Sequence, residues 1–262
     1  MRRADVFFGG MLILLGGLFL LQANGLISDV LGWFWPIVLV LFGVWVLLGR
    51  YAPWAASNAA DQFSVELRGA SQMLLDIDHG VGTIQLVGGA PAGVAVSGTR
   101  ATGMDLKTYL AGDRLEVKIE AGPSFIPFLG PDSGVWRFQL NQDVPISLDV
   151  DAGVSSLDFD LTDLKVTQLS VDTGASTLKV NLPAHAGYTQ VDVDSGAATI
   201  DLNVPQGVAA RVRARQGAST FNIDPARFPL RSPGLYQSDD YDNAVNRVDI
   251  NLDGGANSVN VR

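Results

Sequence analysis

A short tag recurs at a nearly fixed period in the second half of the chain and carries a charged side chain at the same place each time. The first three copies are Asp151-Ala152-Gly153, Asp172-Thr173-Gly174 and Asp194-Ser195-Gly196, and the fourth is Arg215-Gln216-Gly217. Their glycines are 21, 22 and 21 residues apart. Aspartates repeated at one register could form a row of carboxylates, which are oxygen ligands of the type that Ca²⁺ binds.

The row of aspartates has two interpretations. If the repeats stack, the carboxylates form a column in which neighbours about 5 Å apart repel each other by roughly 1 kcal/mol in water. The following Arg215 then caps the column, and Arg213 lies beside Asp192. The alternative is a divalent-cation site, but Ca²⁺ favours six to eight oxygen ligands and the chain has no glycine-rich calcium nonapeptide. We therefore predict structural turn tags and no metal, and the tag residues are Asp78, Gly80, Asp151, Gly153, Asp172, Gly174, Asp194, Gly196, Gly217 and Gly255.

Other groups that could do chemistry are few. The chain has no cysteine, which excludes disulfides, thiolate metal sites and cysteine nucleophiles. Its two histidines, His79 and His185, are predicted to be isolated surface residues in turns, without the nucleophile spacing of a triad. No phosphate-binding loop or zinc-ligand spacing occurs. We predict no catalytic residue and no cofactor, hence not an enzyme, and the net charge of −9 disfavours nucleic acid as a partner.

The tags lead into stretches in which apolar and polar residues alternate. Leu157, Phe159 and Leu161 alternate with aspartate and serine or threonine neighbours, and residues 178–182 and 200–204 repeat the pattern. Such alternation predicts strands with one buried face. We predict that each repeat is two short strands joined at a bend, where the tag glycine supplies a positive φ and the aspartate bonds to backbone amides.

Weaker copies of the tag extend the array in both directions. They are Asp78-His79-Gly80, Glu120-Ala121-Gly122 and Asp253-Gly254-Gly255. Repeats of this length stack because each unit buries its apolar face against its neighbours. The predicted fold class is an all-β repeat domain over residues 63–262, a right-handed β-solenoid-like stack of about 21-residue rungs. An antiparallel β-sandwich is the alternative.

An insertion interrupts the array near its end. The glycines Gly217 and Gly255 are 38 residues apart, which leaves room for residues 225–243 to form one surface loop. This loop is rich in proline, tyrosine and aspartate. We predict that it contacts a partner through Pro229, Pro233, Tyr236, Asp239, Asp240 and Tyr241.

The first 50 residues predict a transmembrane helical hairpin. Apolar runs cover about residues 5–27 and 31–48, and each is long enough to cross about 30 Å of hydrocarbon. Residues 51–62 are predicted to be a juxtamembrane linker before the repeat domain.

The charges around the hairpin predict its orientation. Arg2, Arg3 and Arg50 flank its outer ends, and the connecting turn carries Asp29 and no positive charge. By the positive-inside rule both chain ends lie in the cytoplasm. A competing interpretation makes residues 1–23 a cleaved signal peptide, which leaves the second run as an anchor and the repeat domain outside the cell.

Two parts of the chain resemble known bacterial families. The hairpin, with Gly9-Gly10-Met11-Leu12-Ile13-Leu14-Leu15-Gly16, Asn24-Gly25-Leu26-Ile27 and Trp35-Pro36 running on to Gly43-Val44-Trp45, resembles the LiaI/LiaF-like transmembrane region. The repeat part resembles the β-rich toastrack domains, which include the C-terminal domain of LiaF-like proteins and adhesin-like domains. This chain has two predicted spans where LiaF-like proteins commonly have four.

The resemblance implies a non-enzymatic, membrane-anchored regulator or scaffold of the cell-envelope stress response, because LiaF-like proteins restrain a membrane histidine kinase. The implied partners are the lipid bilayer and a membrane protein such as a sensor kinase, and exposed strand edges favour a homo-oligomer. The implied location is the bacterial cytoplasmic membrane, with the repeat domain on the cytoplasmic side. The alternative is an exported, membrane-tethered adhesin-like or envelope structural protein whose repeat domain faces outward.

Overall fold

The computed structural model describes four long ranges and two isolated residues: 61–100, 104–121, 135–216, 219–262, Gln22 and Gly25. The long ranges belong to the second of two units of the chain, Ala60–Arg262. The predicted transmembrane hairpin, the linker up to residue 60 and the tag glycine Gly217 lie outside the described residues. Within the described part of the chain, no helix has the length and apolar character needed to cross a membrane.

From residue 61 onward, the described residues form one mixed β-sheet of fifteen strands. In chain order the strands are β1 (Asp61–Glu66), β2 (Gln72–Gly88), β3 (Val94–Arg100), β4 (Met104–Ala111), β5 (Arg114–Ala121), β6 (Val135–Leu140), β7 (Ile146–Asp160), β8 (Val166–Asn181), β9 (Tyr188–Asn203), β10 (Ala209–Gln216), β11 (Thr220–Ile223), β12 (Leu230–Ser232), β13 (Leu235–Gln237), β14 (Arg247–Gly254) and β15 (Ser258–Val261). The prediction of an all-β domain is confirmed, and β1 takes the last two residues of the predicted linker into the sheet.

The alternation of apolar and polar residues produces long strands with one buried face. In β7, Leu148 and Val150 are buried while Asp149 and Asp151 point to solvent. Strands β2, β8 and β9 follow the same pattern, so their inner faces share one continuous apolar core. Burial of these side chains is the main force that holds the repeats together.

Successive repeats pair in parallel and in register. Asp151 in β7 lies opposite Asp172 in β8, which lies opposite Asp194 in β9. An antiparallel sandwich would require the opposite pairing between these strands. We call each tag-bearing strand, together with the strand that continues it where one is present, a rung.

The order of the rungs in space differs from their order in the chain. The spatial order is β5 with β6, then β2, β7, β8, β9, β14 with β15, and β10 with β11. The C-terminal rung therefore inserts between β9 and β10. Because of this insertion, the prediction that Arg215 and Arg213 stack directly on the third repeat is wrong. They lie opposite Asp253 and Asn251 instead.

Polar side chains of the C-terminal rung match both of its neighbours. The Asn251 amide donates a hydrogen bond to Asp192 of β9 at 2.8 Å. On the other side, the Arg213 guanidinium of β10 donates to Asp249 at 2.5 Å. The Asn257 amide donates to the Ser195 hydroxyl at 2.9 Å. These bonds explain why β14 and β15 fit between β9 and the last rung.

Each full repeat is one continuous strand, not the predicted pair of short strands. The alternation of buried and exposed residues changes phase at the tag: in β7, Ala152 and Ser155 are buried, and the two exposed residues Gly153 and Val154 lie between them. The tag glycines of β7, β8 and β9 do not have a positive φ. The prediction that they supply a left-handed turn conformation is therefore wrong.

The tag glycines are needed because the rungs approach each other closely at this point. A Cβ atom on Gly153 would lie 2.6 Å from the carbonyl oxygen of Gly80. The corresponding distances are 2.9 Å from Gly174 to the Gly153 oxygen and 2.7 Å from Gly196 to the Gly174 oxygen. A Cβ on Gly255 would lie 2.8 Å from the Gly196 oxygen. Each glycine thus makes room for a backbone carbonyl of the neighbouring rung.

Candidate functional site

The outward side of the tags carries a column of charged residues that crosses all seven rungs. In spatial order its members are Glu120, Asp78, Asp151, Asp172, Asp194, Asp253 and Arg215. We call this set the acidic column. Cations lie at both ends, since Lys118 is 3.2 Å from Glu120 at one end and Arg215 lies in the last rung. Among the described residues, no group of histidine and carboxylate side chains converges as a metal site would require.

Among the described residues, no cation pairs with the carboxylates in the middle of the acidic column. Partial burial, together with repulsion from Asp172 and Asp78, raises the pKa of the Asp151 carboxyl above its usual value. Repulsion of this kind opposes stacking while the carboxylates are ionised. The column is therefore maintained against its own charge by the apolar core behind it.

Replacing Asp151 with asparagine is expected to stabilise the fold by on the order of 1 kcal/mol at pH 7. Because the pKa of Asp151 is higher in the folded than in the unfolded protein, folding favours its protonated form. The stability of the native protein is therefore greatest below the unfolded pKa of this carboxyl and falls as the pH rises through the folded pKa. The gain from Asp151→Asn should therefore disappear below about pH 4. Urea unfolding at pH 7 and pH 3.5 measures it. Asp163→Asn, at an exposed turn position away from the column, is the matched control. An equal gain from Asp151→Asn at both pH values would contradict this explanation.

The inward side of the tags forms a second, buried column. His79, Ala152, Thr173 and Ser195 lie opposite one another there and are almost fully buried. His79 is 1% exposed and its ring centroid is 4.3 Å from that of Trp136, so the prediction of a surface histidine is wrong. Burial lowers the pKa of His79, which therefore favours the neutral imidazole. The sequence signal that could have revealed its burial is its position in the tag, which is equivalent to that of Ala152.

The predicted partner-contact loop is partly built into the sheet. Residues 225–243 contain the hairpin β12–β13, and β13 pairs with β10. Phe228 is fully buried and Tyr241 is 4% exposed, so the prediction of one surface loop is wrong. Of the six predicted contact residues, Pro233, Asp239 and Asp240 are exposed, while Pro229 and Tyr236 are half-buried. The buried side chains of Phe228 and Tyr241 fix the segment against the last rungs.

A cleft of about 340 Å³ lies where this segment meets β9, β14 and β10. Its lining consists of Tyr188, Arg211, Tyr241, Asp242, Arg247 and Asp249. The parallel register explains why they meet, because Arg247 lies opposite Tyr188, and Asp249 lies opposite Arg211. Tyr241 comes from residues 225–243, which we call the inserted segment, and closes one side of the cleft.

Asp249 is the buried centre of the hydrogen-bond network in the cleft. It accepts a hydrogen bond from Arg213 at 2.5 Å and one from the Tyr241 hydroxyl at 3.3 Å. The nearest guanidinium nitrogen of Arg211 is 3.6 Å away. Burial, followed by the charge of Asp249, raises the pKa of Tyr241 to about 12. The phenol therefore remains a hydrogen-bond donor at neutral pH.

Arg211 connects the sheet to the inserted segment. Its Nε donates to Gln237 at 2.8 Å and its Nη2 to Asp242 at 3.2 Å. The guanidinium carbon lies 4.0 Å from the ring centroid of Tyr241, within the range of a cation–π contact. Three kinds of contact thus hold Arg211 in one orientation.

Four cleft residues lie outside the predicted contact loop and were not found from the sequence: Tyr188, Arg211, Arg247 and Asp249. They lie far apart in the chain, and their charges alternate with apolar residues as on any half-buried strand. Only the insertion of β14 between β9 and β10 brings them together. The sequence signal was the match of Val248, Ile250 and Leu252 to the alternation of the other rungs.

Comparisons with known proteins identify a family and a fold. The family described as "N-terminal domain of toast_rack, DUF2154" matches residues 55–203, more than half of the chain. The crystal structure of a "putative cell adhesion protein" from Clostridium sporogenes ATCC 15579 superposes with a TM-score of 0.68 at 19% identity, over 77% of this chain and 97% of that one. A "putative adhesin" from Bacteroides fragilis NCTC 9343 matches over 77% of this chain and 96% of its own, at 8% identity and a TM-score of 0.28. None of the curated proteins matches. At 19% identity the first likeness shows the fold alone.

Proposed function

The chain belongs to the toast-rack family, and from that premise we propose that it is a non-enzymatic contact protein of the bacterial cell envelope, exported and membrane-tethered, of adhesin-like or structural type. The observation that carries this proposal is the in-register stack of seven rungs. Such a stack presents outward rows of like side chains at a spacing of about 4.8 Å. Rows of this kind suit binding to an extended partner.

Besides the acidic column, the rungs carry a row of hydroxyl side chains that supports the proposal. Its members lie opposite one another on the second half of the rungs: Thr83, Ser156, Thr177, Thr199, Ser258 and Thr220. All are exposed except Thr83, which is half-buried. Because each hydroxyl both donates and accepts hydrogen bonds, the row offers a repeated polar contact without any reactive group. The Clostridium sporogenes structure is described as a "putative cell adhesion protein", which supports the same role by fold analogy.

The finer architecture is part of the proposal. We assign the stacked rungs to a right-handed β-solenoid-like coil, because parallel strands joined by a crossover connection are almost always right-handed. Stacking of this kind makes a rigid surface, since each rung is held by two neighbours.

A second candidate is a membrane-anchored regulator or scaffold of the envelope stress response. Its support is the charge pattern of Arg2, Arg3 and Arg50, which predicts that the repeat domain lies in the cytoplasm. Its partners would be the bilayer and a membrane protein such as a sensor kinase.

Deleting the gene tests the two candidates in one strain. If the chain is a contact protein, the deletion strain should show weaker surface attachment or a weaker envelope. The resting activity of an envelope-stress reporter should be unchanged. A regulator predicts a changed resting reporter with attachment intact. Complementation with the full-length chain is the control in both measurements. Normal attachment and normal envelope strength in the deletion strain would overturn the proposed contact function.

A further inference from the structure

Arg247 is the one cation of the cleft whose charge no described carboxylate neutralises. Its Nη1 donates a hydrogen bond to the carbonyl of Ala244 at 3.3 Å. Among the described residues, every ion pair of the cleft involves Arg211 or Arg213 instead. A guanidinium has five N–H donors in a planar fork. Most of the fork of Arg247 is therefore available to a ligand.

The ion pairs around the cleft leave Arg247 without a carboxylate partner among the described residues. Arg211 pairs with Asp242 at 3.2 Å, and Asp249 pairs at 2.5 Å with Arg213, which is outside the cleft lining. The lining itself carries two arginines and two aspartates, so an anion would be held by the unpaired Arg247 and not by a net positive field. The whole chain carries a net charge of −9, so its long-range field repels polyanions. A small ligand with one carboxylate can pair with Arg247 and carries too little charge to be repelled strongly by the chain.

The shape of the cleft mouth adds an aromatic surface. Tyr188 is 43% exposed, and its ring centroid lies 5.6 Å from the guanidinium carbon of Arg247. An exposed tyrosine presents an apolar ring face beside a polar hydroxyl. The cleft volume of about 340 Å³ is at the small end of ligand sites and suits a single sugar ring.

We propose that this cleft binds a carboxylate-bearing sugar. The carboxylate pairs with the free fork of Arg247, and the sugar ring lies against Tyr188. Paired N–H donors on a carboxylate give both energy and orientation, which a single point charge would not. Asp249 and Arg211 are positioning residues, because they hold Tyr241 and the inserted segment in place. The inference rests on the proposed contact function and names the ligand chemistry of that contact.

Titration calorimetry on the full-length protein in detergent tests the inference with three probes. They are D-glucuronate, D-glucose as the neutral ring, and acetate as the carboxylate without a ring. We expect saturable binding of glucuronate, with glucose and acetate each at least about tenfold weaker. Acetyl-glutamate amide, a carboxylate on a peptide, is expected to be weaker by a similar factor.

Two variants distinguish binding in the cleft from a general effect of positive charge on the surface. Arg247→Gln is expected to weaken glucuronate binding at least about tenfold. Arg231→Gln removes the same charge from the inserted segment but outside the cleft, where Arg231 pairs with Asp239, and should leave binding unchanged. An unchanged melting temperature in Arg247→Gln shows that the loss belongs to the site.

Several outcomes would overturn the inference. They are equal affinity for acetate and glucuronate, equal or tighter binding of acetyl-glutamate amide, and full binding by Arg247→Gln. Absence of glucuronate binding while deletion still weakens attachment rejects the cleft and keeps the contact function. Glucuronate binding by a protein whose deletion leaves attachment and envelope strength intact supports the cleft and rejects the contact function.

Discussion

Replacing Gly153 with alanine is expected to lower the free energy of unfolding by about 2 to 3 kcal/mol. The new Cβ would lie 2.6 Å from the carbonyl oxygen of Gly80, and a backbone atom cannot move aside as a flexible side chain can. The rungs β2 and β7 must then separate where their contact is closest. Urea unfolding followed by far-ultraviolet circular dichroism measures the loss.

The matched control lies in the same column of glycines. No atom of the described residues lies within 4 Å of the position of a Cβ on Gly80, and Gly80 does not have a positive φ. Gly80→Ala is therefore expected to be neutral or to stabilise by up to about 1 kcal/mol, because alanine restricts the unfolded chain. Equal effects of the two substitutions would show that close approach of the rungs is not the reason for the glycines.

Replacing Asp249 with alanine is expected to cost about 2 kcal/mol, because it leaves Arg213 and the Tyr241 hydroxyl without their shared acceptor. The loss acts on the contact between the last rungs and the inserted segment. Asp249→Asn keeps the shape and one acceptor oxygen, and should cost less. Thermal unfolding compares the two variants, and equal losses would contradict this role of the carboxylate.

The titration of Tyr241 provides a second readout of the same change. Burial and Asp249 raise its pKa from 10.0 to about 12 in the native protein. A raised folded pKa means that the stability from this phenol is fully present below pH 10 and is lost as the pH rises through about 12. In Asp249→Ala the pKa should fall toward its ordinary value, as ultraviolet absorbance would show. An unchanged pKa would mean that Asp249 does not hold Tyr241.

Local patterns were sufficient to predict which faces of the strands are buried and how the repeats align, but not that each full repeat is one continuous strand. The alternation around Leu157, Leu178 and Ile200 predicts a strand with one buried face, and a fixed period predicts that equal positions lie opposite one another. The structure shows both features. The same logic extended correctly to the weaker copies at Asp78 and Asp253.

Long-range features were not predictable in the same way. The chain order gives no sign that β14 lies between β9 and β10, because each rung has the same alternation and could pair with any other. The role of Gly153 was also mistaken, since glycine suits both a positive φ and a close backbone approach. The cleft depends on the insertion of β14, so its residues could not be grouped before the order of the rungs was known.

Whether the repeat domain is exposed on the outside of intact cells tests the central claim most directly. The chain has no cysteine, so a single Thr177→Cys substitution on the exposed hydroxyl row gives one defined labelling site. Ser155→Cys, at a buried position in the neighbouring rung, is the control and should react only after unfolding. If the protein is an exported contact protein, a membrane-impermeant maleimide will label Thr177→Cys in intact cells. Labelling of Thr177→Cys only after the cells are lysed would contradict that claim and place the domain in the cytoplasm.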